Sequence, residues 1–334
     1  MSSGDSSSTT SVDHEPKGHV VYTENHGAFS CYVQGNLSAH KVVCITYHDI
    51  GLNHSSFVEF LNTKDMLPIK SRMCFLHINA PGQQDHCEKL ADNYHYPTMQ
   101  QLADVVPYIL KEVGITENHD LIGIGEGAGA NILLRFAFSN PRVLGLILLE
   151  CTSSAAGFKE WGQEKVASWN LTHRGMNPTA EKYLLWHHLG THTTNKLDYV
   201  KTYRTNLYER MNAHNLALFI DKFTNRNNIT VNLKDIKCPV LLATGKKSPH
   251  FKDVEQLYEH LTCTKNILAP DGVHGDIKEE APSKLAESII LFLQGIHLLS
   301  GVSLVRLHHD AILGETSTKP RAGSMTEFDQ PHKH

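Results

Sequence analysis

A run of closely spaced glycines constrains the fold of this chain more than any other feature. Residues 121–130 read Leu-Ile-Gly-Ile-Gly-Glu-Gly-Ala-Gly-Ala. An apolar segment, residues 120–124, precedes the run, and a segment with helical spacing, residues 131–138, follows it. Glycine is favoured where a strand turns sharply into a helix, because a Cβ there would strain the backbone or clash with the helix. The pattern therefore predicts a strand, a tight turn and a helix.

The same spacing matches the nucleophile elbow of α/β-hydrolases, G-x-S-x-G, whose strained turn presents an attacking serine. The position between Gly123 and Gly127 is Gly125. If the register moves by two residues, Gly125 and Gly129 become the flanking glycines and Gly127 the centre. Neither register offers an oxygen or sulfur atom for attack on a carbonyl group. We therefore predict that the chain is not an enzyme.

Composition excludes several classes of function. The chain is 40% hydrophobic and 20% charged, as is usual for a globular protein, and its net charge of −4 provides no basic surface for nucleic acid. Seven cysteines without a CxxC pair indicate reduced thiols. No apolar stretch reaches the roughly 18 residues that a transmembrane helix needs. We expect a cytoplasmic protein with no cofactor and no metal site.

Strand-like and helix-like patterns alternate along most of the chain. Apolar runs typical of buried strands occupy residues 42–47, 73–78, 121–124, 144–149 and 238–244. Helical spacing separates several of these runs, and this alternation predicts a mostly parallel central sheet flanked by helices. With the glycine turn, it predicts an α/β-hydrolase fold.

The strand signal disappears between residues 153 and 230, where helical spacing and all three tryptophans occur. We interpret this segment as a helical cap inserted into a domain that spans residues 18–302. Residues 1–17 and 303–334 are polar, and we predict that both are flexible tails.

Other positions of a hydrolase site are only partly filled. Ser248 falls where an acid commonly follows the next-to-last strand, and His274 lies beyond the last strand, where the base is expected. Glu150, at the end of a predicted strand, and Asp49 are alternative acids. A residual hydrolase or lyase, in which His274 with Glu150 or Asp49 activates water, therefore stays open as an alternative. The neighbouring His48 is expected at the rim of the pocket.

The glycine run also satisfies a dinucleotide-binding fingerprint. Gly123-x-Gly125-x-x-Ala128 follows a predicted strand and opens a predicted helix, and Glu150 ends the next strand. However, complete strand and helix units precede this motif, whereas the fingerprint usually lies on the first strand of its sheet. A nucleotide-binding oxidoreductase is the second alternative.

Several separate stretches resemble one known family. They are residues 45–54, 79–85, 96–103, 123–133, 192–206 and 292–295. On these stretches, the chain resembles the N-myc downstream-regulated (NDRG) protein family. The resemblance implies an α/β-hydrolase-like protein without a catalytic triad that takes part in signalling, stress response, differentiation or vesicle trafficking. It implies action through protein partners, with peripheral phospholipid contact as a second class.

The positions expected from the hydrolase pattern define a vestigial pocket. Its expected members are His48, Asp49, Gly125, Glu126, Glu150, Ser248 and His274. Two of them depart from the family pattern, because Glu126 replaces a usually small residue and Glu150 stands where asparagine is common.

The polar C-terminal tail carries candidate phosphorylation sites. Arg321 lies three residues before Ser324, a basic context that many kinases recognise. Thr316, Ser317 and Thr318 form a second cluster. A phosphate would add about −1.5 to −2 charge without refolding the domain. We therefore expect regulation through this tail.

Overall fold

The computed structural model describes residues 15–190 and 197–299. The predicted C-terminal tail and its candidate phosphorylation sites, and all but the last residues of the N-terminal tail, lie outside the described residues.

The described residues form a mixed sheet of eight strands in the order β1-β2-β4-β3-β5-β6-β7-β8. The strands are β1 (Lys17–Thr23), β2 (Gly27–Gln34), β3 (Val42–Tyr47), β4 (Cys74–Ile78), β5 (Asp120–Glu126), β6 (Val143–Leu149), β7 (Val240–Ala243) and β8 (Lys265–Leu268). Strand β2 pairs antiparallel with β1 and β4, whereas strands β3 to β8 are all parallel to one another. The mostly parallel sheet predicted from the sequence is therefore confirmed.

Helices cover both faces of the sheet. The α-helices are α1 (His54–Leu61), α2 (Leu67–Lys70), α3 (Met99–Glu112), α4 (Ala128–Ser139), α5 (Phe158–Arg174), α6 (Pro178–Leu189), α7 (Leu197–Thr205), α8 (Ala213–Thr224), α9 (Phe251–His260), α10 (Ile277–Glu280) and α11 (Pro282–Gly295). A Cβ on Gly123 of β5 would contact Leu133 of α4, whereas one on Gly145 of β6 would contact Phe292 of α11. Because Gly123 and Gly145 point to opposite faces of the sheet, these two helices lie on opposite sides.

Burial on both faces explains why the central strands are mostly apolar. Every residue of β4 and β7 is buried, and so is every residue of β3 and β5 except the first. Parallel strands between two helical layers lose water on both faces, which favours continuous runs of Val, Ile and Leu. The edge strand β1 is mostly exposed instead.

The segment between β6 and β7 contains helices α5 to α8, and we call these four helices the cap. Side chains of asparagine hold two of their N-termini: Asn177 accepts from the N–H of Thr179, and Asn212 accepts from the N–H of His214. Such caps satisfy N–H groups that have no partner inside the helix. Within residues 15–190 and 197–299, no helix combines the length and apolar character needed to cross a bilayer.

Candidate functional site

The sharp turn of the glycine run lies at Gly127. Strand β5 ends at Glu126 and α4 begins at Ala128, and between them Gly127 has φ 49° and ψ −113°, a conformation that residues with side chains rarely adopt. The centre of the elbow is therefore Gly127, as in the second of the two registers, rather than Gly125. Gly125 serves close packing instead, because its Cβ would lie 2.5 Å from Cα of Ala130.

The carboxylate of Asp49 occupies the space of the missing nucleophile. A Cβ on Gly127 would lie 2.1 Å from Cγ of Asp49. The N–H groups of Ile50 and Ala128 each donate to Oδ1 of Asp49 at 2.8 Å. In α/β-hydrolases, the N–H of the residue after the nucleophile and an N–H from the loop after the third strand form the oxyanion hole. Asp49 therefore fills that hole with a carboxylate of its own chain.

A cap histidine completes the contacts of this carboxylate. Nε2 of His187, on α6, lies 2.8 Å from Oδ2 of Asp49, and both side chains are buried. Burial raises the pKa of Asp49, but the His187 ring and the donated hydrogen bonds outweigh burial and lower that pKa to about 2. Burial opposes a charge on His187, yet Asp49 raises the pKa of this ring above its usual value. The two residues therefore form a buried ion pair between cap and core.

His48 supports the loop that carries Asp49. Its Nδ1–H donates to the carbonyl of Asp49 at 2.7 Å, and its Nε2 accepts from the N–H of Ala80 at 3.0 Å. Burial lowers the pKa of His48 to about 4. This neutral ring, with both nitrogen atoms engaged, holds the backbone and is not available as a base.

The two predicted acid positions, Glu150 and Ser248, bond to each other. The hydroxyl of Ser248 donates to Oε2 of Glu150 at 2.8 Å, and the hydroxyl of Thr244 donates to the same atom at 2.7 Å. Burial raises the pKa of Glu150 to about 8, although these hydrogen bonds act in the opposite direction. A carboxyl group that is mostly neutral at pH 7 is poorly suited to stabilise a charged catalytic histidine.

Glu126 belongs to a buried cluster centred on Lys278. The ammonium of Lys278 contacts Glu126 and lies 3.0 Å from Oδ1 of Asp276. Oδ2 of Asp276 accepts from the hydroxyl of Tyr199 at 2.8 Å and lies 3.2 Å from Nε2 of His188. Glu126, His188 and Asp276 offer ligand atoms within 4.8 Å of one another, a grouping that suits a metal ion. The ammonium already lies against both carboxylates, so a metal ion would have to displace it.

The residues that the hydrolase alternative requires make other contacts in the structure. The backbone N–H of His274 donates to Oε2 of Glu280 at 3.0 Å, and the ring atom Nδ1 of His274 lies 3.6 Å from the same oxygen. Asp49 is paired with His187 on the cap, and Glu150 is bonded to Ser248. Each predicted acid therefore has a partner other than His274.

The position where a dinucleotide would place its phosphate is also occupied. A phosphate at the start of α4 would need the N–H of Ala128, which already donates to Asp49. The motif lies on β5 rather than on the first strand, and Gly125 provides close contact with α4. The glycines of this fingerprint are therefore explained by packing.

Backbone contacts close the cap over the site. A Cβ on Gly190, at the end of α6, would lie 2.1 Å from the carbonyl oxygen of His274. A Cβ on Gly275 would lie 2.4 Å from Cα of Leu189. The end of α6 and the loop after β8 therefore touch main chain to main chain, which these two glycines allow.

Sequence reasoning missed the residues that the cap and the last loop contribute. His187 and His188 are adjacent in the sequence, but nothing in their spacing indicates that they contact Asp49 and Asp276. In the sequence, nothing distinguishes Lys278 from a lysine on the surface, but in the structure it is buried. One sequence signal could have indicated that Asp276 belongs to the site: it lies in the loop after the last strand, where hydrolases place their histidine.

The strand order, the turn at Gly127 and the two oxyanion-hole donors define the class: an α/β-hydrolase fold whose nucleophile position carries no side chain. A thermophilic esterase from Thermogutta terrifontis aligns with TM-score 0.70 and 13% identity over 85% of this chain and 99% of its own. A hydrolase from Pseudomonas aeruginosa aligns with TM-score 0.68 and 14% identity over 83% and 98%. At such identities the likeness shows the fold alone, and the predicted fold is confirmed.

The chain belongs to the Ndr family, whose profile matches residues 19–300. It is 35% identical to the uncharacterized protein ZK1073.1 of Caenorhabditis elegans, over 94% of this chain and 95% of that one. It is 33% identical to protein NDRG3 of Xenopus laevis, over 92% and 82% of the two chains. It is 32% identical to protein NDRG1 of Xenopus tropicalis, over 84% and 72%. The family resemblance seen in the sequence is confirmed.

Proposed function

We propose that this protein is a non-catalytic member of the α/β-hydrolase fold that acts by binding partners in the cytoplasm. The observation that carries this proposal is the occupied oxyanion hole. Gly127 supplies no nucleophile, and the carboxylate of Asp49 takes both backbone donors. Loss of the nucleophile alone costs a serine hydrolase on the order of 10⁶-fold in kcat. A negative charge fixed in the hole would also repel the oxyanion that forms during ester hydrolysis.

Labelling with a fluorophosphonate probe tests the absence of hydrolase chemistry. We expect the folded protein to remain unlabelled and to hydrolyse p-nitrophenyl acetate no faster than a heat-denatured sample. An active serine esterase of the same fold serves as the positive control. Stoichiometric labelling of a serine near the pocket, with Ser248 as the first position to map, would overturn the proposal.

We further propose that the binding function serves signalling, stress response, differentiation or vesicle trafficking, with protein partners as the main class. Family membership supports this assignment. Proximity labelling in resting and stressed cells tests it, with an unfused labelling enzyme as the background control. We expect a reproducible set of cytoplasmic neighbours whose composition changes with stress. A set equal to the background in both states would contradict the assignment.

Peripheral phospholipid contact is the second proposed partner class. Trp161 and Trp169 on α5 are 45% and 51% exposed, and indole rings favour the boundary between water and lipid. The net charge of −4 gives no general attraction to anionic lipid, so apolar side chains would have to provide the contact. Cosedimentation with phosphatidylcholine vesicles tests this. Equal binding of the wild type and a Trp161→Ala/Trp169→Ala variant would show that these cap tryptophans do not provide the lipid contact.

A further inference from the structure

Asp49 is held in the way that a bound ligand is held. Its Oδ1 accepts from the N–H groups of Ile50 and Ala128, each at 2.8 Å, and its Oδ2 lies 2.8 Å from Nε2 of His187. The carboxylate itself is 4% exposed. These three groups surround the carboxylate from the loop after β3, from the start of α4 and from the cap.

The chemistry of this enclosure is specific for an anion. Two backbone N–H groups converge on one oxygen, and the start of a 12-residue helix adds a partial positive charge. The His187 ring contacts the second oxygen. Charge-assisted hydrogen bonds of this kind are about twice as strong as neutral ones. The enclosure therefore matches a carboxylate in both charge and shape.

The vacancy that Asp49 fills exists because Gly127 has no side chain. A Cβ at this glycine would lie 2.1 Å from Cγ and from Oδ1 of Asp49. Shortening Asp49 to alanine removes the carboxylate group and leaves a space of the same size. Formate has the same three heavy atoms as the removed group, whereas acetate has one more and butyrate has three more than this space held.

Access to this space depends on the cap. His187 lies on α6, and the main chain at the end of α6 touches the loop after β8 at Gly190 and Gly275. While these contacts persist, the carboxylate of Asp49 is enclosed. Withdrawal of α6 would remove His187 and expose Asp49 together with the two N–H groups.

We propose that Ile50, Ala128 and His187 form a binding site for a small carboxylate, that Asp49 occupies it as an intramolecular ligand, and that an external carboxylate takes the same three contacts when the carboxylate of Asp49 is absent. The inference goes beyond the proposed function: it assigns a ligand class to the sealed pocket. Failure to bind a carboxylate would leave the absence of fluorophosphonate labelling unchanged, so the two proposals fail separately.

Chemical rescue of Asp49→Ala tests the site. A ligand of three heavy atoms binds no tighter than roughly millimolar, so the titration runs to molar formate with chloride at matched ionic strength as the reference. We expect formate to raise the melting temperature of Asp49→Ala by about 3–8 °C over chloride, with saturation. Acetate, which is larger by one carbon, should act less strongly than formate, and butyrate should have little effect. The wild type and Asp49→Asn, in which a side chain still fills the space, should not respond.

Two further measurements localise the effect. The amide ¹⁵N–¹H signals of Ile50 and Ala128 should shift in Asp49→Ala and return towards their wild-type positions when formate is added. The Asp49→Ala/His187→Ala variant should lose most of the formate response. If Asp49→Ala does not fold as expressed, refolding yields in formate and in chloride replace the melting temperatures. Equal stabilities or yields in the two salts, an equal response of the wild type, or an equal effect of butyrate would overturn the proposal.

Discussion

Introducing a side chain at Gly127 tests whether a side chain at this position and the carboxylate of Asp49 compete for the same space. Gly127→Ser forces a residue with a side chain into φ 49° and ψ −113°, at a cost of about 1–3 kcal/mol. Its Cβ would lie 2.1 Å from Cγ of Asp49, so the carboxylate must leave its hydrogen bonds with Ile50, Ala128 and His187.

Each hydrogen bond to a charged group contributes about 1.5–3 kcal/mol. Because the displaced carboxylate recovers part of this in water, we expect Gly127→Ser to lower the free energy of unfolding by about 4–6 kcal/mol. That loss is a large part of the roughly 5–15 kcal/mol that stabilises a typical domain.

A double-mutant cycle isolates the clash. Asp49→Ala alone should cost about 3–5 kcal/mol, because it leaves buried donors without an acceptor. In the double variant Asp49→Ala/Gly127→Ser, the serine enters space that the carboxylate has vacated. We expect the double variant to be more stable than the sum of the single changes predicts, by about 2–3 kcal/mol. Urea unfolding followed by circular dichroism measures all four proteins.

Gly114→Ser provides the matched control. Gly114 has φ 85°, and a Cβ there would meet no atom of the described residues within 4 Å, so this substitution introduces backbone strain without a clash. Its effect should add to that of Asp49→Ala within about 0.5 kcal/mol. If the Gly127 cycle is as additive as the Gly114 cycle, then Asp49 does not occupy the position of the nucleophile, and the reasoning fails.

Three further predictions concern pH and the tail. Burial raises the pKa of Glu150 to about 8, so the native state keeps this proton above the pKa of the unfolded state and loses stability as the pH rises through 8. Between pH 7 and 9, the free energy of unfolding of Glu150→Gln should therefore rise by about 1 kcal/mol relative to that of the wild type. Urea unfolding measures this difference, and Glu255→Gln on the surface should show none. Burial lowers the pKa of His48 to about 4 and that of His77 to about 3, so the unfolded state takes up protons first, and each ring should contribute a loss of about 1.4 kcal/mol per pH unit between pH 6 and 4. A His77→Gln variant whose stability parallels that of the wild type over this range would contradict a buried neutral ring. Finally, we expect phosphopeptide mapping of stressed cells to find Ser324 modified, and an unmodified tail in both stressed and resting cells would show that it is not the switch.

The sequence by itself determined the layered architecture and the absence of a serine from the glycine turn. The apolar runs of β3 and β5 can only be buried on both faces, which requires a parallel sheet between helices. The glycine run shows that no serine stands at the elbow in either register. These conclusions depend on local patterns, which the order of residues contains directly.

Only the tertiary structure decided which glycine forms the turn and what fills the empty position. Gly125 and Gly127 are equivalent in spacing, and they differ only because β5 continues through Glu126 before the backbone turns. Asp49 and His187 are 138 residues apart, and their contact depends on how the cap folds back over the sheet. The directions of side chains and the meeting of distant segments follow from packing of the whole domain, and for this reason the motif pattern alone could not place them.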